Sequence, residues 1–64
     1  MKIGDDIIMF FHCAGLVSEE EWEVTNIDEN TIELGNEWNF DKKTGKCLND
    51  NNMFGAKRTI KPLL

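Results

Sequence analysis

The side chains that could do covalent or metal chemistry are few: His12 and Cys13, adjacent in the chain, and Cys47 far from both. A thiol–imidazole pair becomes catalytic when a base, a group that orients it and an oxyanion hole converge on it. His12 has no such company at a telling spacing. On a strand, residues 12 and 13 point to opposite faces, so one substrate or one ion cannot take both. A zinc site needs about four ligands, and His12 with the two cysteines falls short. The expectation is a protein with no catalytic residue, no metal and no cofactor. Both cysteines read as free thiols acting as small apolar side chains, the pattern of a reducing compartment.

Charged residues are more suggestive. Glu19, Glu20, Glu21 and Glu23 form an acidic cluster, and alternation would place Glu21 and Glu23, with Glu33 and Glu37 as further candidates, on one outer surface. Residues 1–40 carry ten acids against Lys2 alone, a net of −9. Residues 41–64 carry Lys42, Lys43, Lys46, Lys57, Arg58 and Lys61 against Asp41 and Asp50, a net of +4; together these make the chain's −5. The acidic part should repel nucleic acid and attract a protein with a basic patch. The basic third is the alternative surface, since lysines and an arginine can make a salt-dependent phosphate footprint. It lacks an aromatic clearly placed for base stacking; Phe54 is the one candidate, and it reads as core.

One apolar feature also invites a partner. In Ile7-Ile8-Met9-Phe10-Phe11, residues 7, 9 and 11 face inward in phase with Ile3, which leaves Ile8 and Phe10 outward. An exposed Ile–Phe pair suits a protein contact, including pairing of two copies through the first strand. Otherwise the segment after it, residues 14–20, would have to fold over the pair.

These residues must be positioned by very little structure. The 64 residues make one domain, spanning 1–64, near the lower limit for a self-sufficient core. No apolar run approaches the roughly 18 residues that cross a bilayer, so no membrane partner is expected. The N-terminal residues have acids where a signal peptide carries its positive charge, which places the chain in the cytoplasm.

Turn signals recur about every 8 to 12 residues, the spacing of short strands rather than helices. The first strand is expected at 6–13, broken by Ala14-Gly15, with 14–20 as loop. Ser18 could cap a helical turn over the acids, but the alternation that follows favours a strand at 21–27 with Trp22 and Val24 inward. Further strands are expected at 31–34, 37–41 and 57–61, with Ile32, Leu34, Trp38, Phe40 and Ile60 completing the core. Asp41-Lys42-Lys43-Thr44-Gly45 reads as a type I turn closed by a left-handed glycine, followed by a brief strand at 46–48. Asn49-Asp50-Asn51-Asn52 reads as irregular, Met53-Phe54-Gly55 re-enters the body, and Pro62 ends the last pairing. Five short strands joined by hairpins close most economically into a barrel, which removes exposed sheet edges.

Ile3-Gly4-Asp5 leading into the first strand, then Trp22-Glu23-Val24-Thr25, Thr31-Ile32-Glu33-Leu34-Gly35 and Phe40-Asp41-Lys42-Lys43-Thr44-Gly45, resembles small SH3-like barrel proteins common in bacteriophage genomes. The resemblance spans roughly residues 3–61 and rests on turn and core positions. It implies an all-β fold, a small five-stranded antiparallel SH3-like barrel. It also implies a phage-encoded binding protein that inhibits a host or defence-system protein in the host cytoplasm, in the manner of an anti-CRISPR. That family is basic around its second hairpin where this chain is acidic. The expected function is therefore protein binding through Glu19, Glu20, Glu21, Glu23, Ile8 and Phe10, with nucleic-acid binding through the basic third as the alternative.

Overall fold

The computed structural model describes residues 1–50 and 55–64. The readings made above for residues 51–54, including Phe54 in the core, lie outside the described residues. Five antiparallel strands, β1 (Asp6–Cys13), β2 (Leu16–Ile27), β3 (Thr31–Leu34), β4 (Trp38–Asp41) and β5 (Lys57–Thr59), form one sheet in the order β4-β3-β2-β1-β5. Single bridges from Cys47 to Phe40 and from Lys46 to Thr59 link the two ends of that order, so the sheet curls into a nearly closed barrel. This is the small SH3-like barrel the sequence led us to expect. Among the described residues there is no helix long and apolar enough to cross a membrane.

The sheet closes in so few residues because β2 serves two neighbours. Its first part pairs with β1, from Leu16 opposite Cys13 to Glu23 opposite Asp6. From Val24 onward it pairs with β3, and the register slips between Val24 and Asn26. A bulge there adds a residue to one strand and sharpens its bend and twist. The extra residue is Thr25, whose hydroxyl donates to a Glu33 carboxylate oxygen at 2.9 Å and accepts the Asn36 N–H at 2.9 Å.

The main correction to the sequence reading is at residues 14–20, which are not a loop. Ala14 and Gly15, at φ 53° and 80°, make a two-residue turn with both positions left-handed, and β2 starts at Leu16. Such a turn matches the twist of the strands it joins, so pairing with β1 carries on through the acidic run. Two smaller differences lie at strand ends: β4 begins at Trp38 rather than residue 37, and β5 stops at Thr59. Beyond it the Ile60 N–H turns to the Gly45 carbonyl at 2.9 Å.

The buried core is Met9, Val24, Ile32, Leu34, Phe40 and Ile60. Trp22 and Trp38, expected inside, are half-buried and pack against it from the rim. Gly45 lets two segments touch: its φ is +77°, and an added Cβ would run into the Ile60 carbonyl oxygen. The Asp41 carboxylate receives the Lys43 and Thr44 N–H groups at 2.7 and 3.2 Å, which fixes the expected turn ahead of that glycine.

Candidate protein-binding surface

Residues directly opposite one another in an antiparallel pair share a face. On the outer face of the β1–β2 ribbon, Ile8 stands opposite Glu21, Phe10 opposite Glu19, and Asp6 opposite Glu23. Five of the six residues picked from sequence thus come together, as two apolar side chains flanked by three carboxylates. Glu20 goes elsewhere. It stands opposite Met9 on the other face, and its carboxylate accepts the Trp22 indole N–H at 2.9 Å. Trp22 in turn sets the edge of its ring against Gly35, where any Cβ would collide with it.

Glu19, Glu20, Glu21 and Glu23 are all exposed. Among the described residues the one ion pair is Arg58–Asp50, so none of the four glutamates has a cation partner. Ile8 and Phe10 are not covered by residues 14–20, which pair beside β1 instead of folding over it. They border a cleft of about 240 Å³ together with Ile7, Glu19, Ile60, Lys61 and Leu63. The C-terminal tail forms its far wall, held by a 2.7 Å bond from the Leu63 N–H to the Lys42 carbonyl.

The basic third is arranged differently. Arg58, read from sequence as one of a surface group of cations, turns toward the barrel interior. Its guanidinium carbon lies 3.8 Å from the Trp38 ring centre and 4.9 Å from that of Phe11. Its backbone N–H and one guanidinium nitrogen bond to the two oxygens of Asp50, at 2.7 and 3.4 Å. The Asp50 side chain is 5% exposed and that of Arg58 21%. An arginine in such a place closes the barrel end with its flat apolar faces while its charge is matched. Lys42 leans on the Glu29 carbonyl at 3.4 Å, and Lys61 sits at the cleft. Lys46 and Lys57 border a second cleft, of about 290 Å³, with Arg58 and Asp50 at its wall.

His12 is on the outer face and shares a 3.0 Å hydrogen bond with the Thr59 hydroxyl. Cys13 and Cys47 are unbridged. Burial, the largest influence, pushes the Cys47 thiol above its ordinary value; Asp50 adds to this, while the Asn49 backbone and Arg58 oppose it. A protonated thiol is a weak nucleophile. Among the described residues no three His, Cys, Asp or Glu side chains are grouped to hold a metal. Comparison with family models, curated proteins and solved structures finds no match.

Proposed function

We propose that this domain is a non-catalytic protein-binding module whose contact surface is the outer face of the β1–β2 ribbon. The observation that carries this reading is the cross-strand pairing of exposed Ile8 with Glu21 and of half-buried Phe10 with Glu19, both glutamates exposed and without cation partners. An apolar strip rimmed by like charges is a poor arrangement for stability alone, because the carboxylates repel. It suits a partner that offers a basic patch around an apolar centre. Together with the resemblance to small phage barrels, this supports a stoichiometric inhibitor of a host or defence-system protein. The use of Arg58 within the fold, against Trp38 and Phe11 and paired with Asp50, counts against the nucleic-acid alternative.

The test is affinity capture from a host lysate with the parent and with a variant carrying Glu19→Lys, Glu20→Lys, Glu21→Lys and Glu23→Lys. The variant should fold, since all four side chains are exposed, and should lose the parent's partner. Parent binding should weaken as salt shrinks the Debye length from about 10 Å at 0.1 M to about 3 Å at 1 M. A partner that tolerates the reversals and is lost with Ile8→Ser and Phe10→Ser would reduce the site to its apolar strip. Retention on heparin past physiological salt, lost when Lys43, Lys46 and Lys57 become glutamate, would transfer the function to nucleic acid.

A further inference from the structure

The two halves of β2 differ in how their outer edges end. From Val24 onward that edge is taken by β3, whereas from Leu16 to Glu21 it has no neighbouring strand among the described residues. The two-residue turn determines which backbone groups point there. Such a turn closes on a hydrogen-bonded pair, here Cys13 and Leu16, and hydrogen-bonded and non-bonded pairs then alternate. Leu16, Ser18, Glu20 and Trp22 therefore direct their N–H and C=O toward β1. Val17, Glu19 and Glu21 direct theirs to the open side. Glu23 confirms the phase, because its carbonyl points away from β1 and receives the Gly35 N–H at 2.9 Å.

An open edge is a template for another strand, and proteins commonly guard it with a bulge, a proline or charge. Residues 16–21 have no proline and no register slip; their guard is Glu19, Glu20 and Glu21. That guard is selective. If two copies paired antiparallel, edge to edge, about Glu20, that residue would face its own copy and Glu19 would face Glu21 of the other, and like charges directly opposite destabilise a sheet. An extended segment rich in lysine or arginine would meet the reverse situation. Leu16 and Val17, 75% and 58% exposed, give such a segment an apolar end to rest on.

We propose that the edge Leu16–Glu21 docks an extended basic peptide segment of a partner protein as an added antiparallel strand. The backbones of Val17, Glu19 and Glu21 supply the hydrogen bonds, and the glutamates select for cationic side chains. This rests on the binding reading above and gives that reading its mode. Basic side chains opposite Glu19 and Glu21 lie on the Ile8–Phe10 face; the one opposite Glu20 lies on the Trp22 face.

The test uses the full chain and a short peptide of alternating lysine and valine, followed by calorimetry and amide exchange. The register that sets lysines opposite Glu19 and Glu21 aims the lysine N–H groups at β2 and the valine N–H groups at solvent. N-methylation of the valines should leave binding unchanged, while N-methylation of the lysines, at equal charge, should weaken it by about tenfold or more. The amides of Val17, Glu19 and Glu21 should become protected from exchange, with Ser18 and Glu20 unaffected. Equal binding by the two methylated peptides would mean that charge alone acts, overturning the edge proposal and leaving the acidic-surface reading in place. Absence of binding by any of the peptides would overturn the edge proposal too, and the acidic surface would then stand or fall on the glutamate reversals. Concentration-dependent dimerisation of the parent with the same three amides protected would assign the edge to a second copy and overturn the peptide as its occupant.

Discussion

The outer β1–β2 ribbon and the Arg58 end of the barrel use charge in opposite ways. On the ribbon, Glu19, Glu21 and Glu23 project from one face of a strand pair with no cation to meet them. At the barrel end, Arg58 lies against Trp38 and Phe11 with Asp50 on its polar rim, so its charge is met within the fold. Simple counting would give both regions a charged surface available to partners. The difference lies in what each side chain's backbone position faces: Arg58 is opposite Phe11, on the inner side of β1, whereas Glu19 is opposite Phe10, on the outer side. One step along a strand separates a structural charge from a free one.

The largest effect expected from breaking this contrast is at the enclosed end. Trp38→Ala removes a ring that packs on the core and forms one face of the arginine's slot. For a half-buried tryptophan the cost should be near the lower limit for such truncations, about 3 kcal/mol. A domain of this length has only about 3–10 kcal/mol in total, so the urea midpoint should fall steeply. A midpoint close to the parent's would mean that the slot is incidental. Next comes Asp50→Ala, which strips the Arg58 N–H and guanidinium of their acceptor and should cost about 2 kcal/mol. Because the pair is enclosed, most of that loss should persist at high salt, unlike binding at the ribbon. A loss that disappears in 1 M salt would show that Asp50 acts as a surface charge.

The contrast was only half legible in the sequence, for physical reasons. Alternation over Trp22–Val24, Ile32–Leu34 and Trp38–Phe40 was clear because each segment buries one face and wets the other. The turn at Asp41–Gly45 was equally clear, since aspartate and glycine satisfy local backbone demands that few other residues meet. The first half of β2 was hidden. Leu16–Glu21 is mostly hydrophilic, and its extended form comes from pairing with β1 rather than from its own residues. Ala14 is also an unusual occupant of a left-handed turn position, so the two-residue turn lacked its usual mark. That one turn decided the site: reading the strand from residue 16 would have put Glu19 with Glu21 and Glu23, and Glu20 on the opposite face. Arg58 could not be read at all, because its slot depends on Phe11 and Trp38 meeting across the barrel, and charge was the only local clue.

The smallest effect expected is a pH dependence belonging to the enclosed end. Burial raises the Cys47 thiol above its ordinary value of 9.0, so the folded chain holds that proton more tightly than the unfolded chain does. Below about pH 9 both states are protonated and the contribution to stability is complete. As pH rises further, the unfolded chain releases its proton first and gains the ionised form, while the fold holds the thiol neutral. Stability therefore declines above about pH 9, until the pH passes the raised folded value. Cys47→Ala cannot show this term, and every other ionisable side chain is the same in both proteins. Urea midpoints measured between about pH 8 and pH 10 should thus fall more for the parent than for Cys47→Ala. Curves that stay parallel throughout would mean that solvent reaches the thiol freely, and that the barrel end around Arg58 is as open as the ribbon.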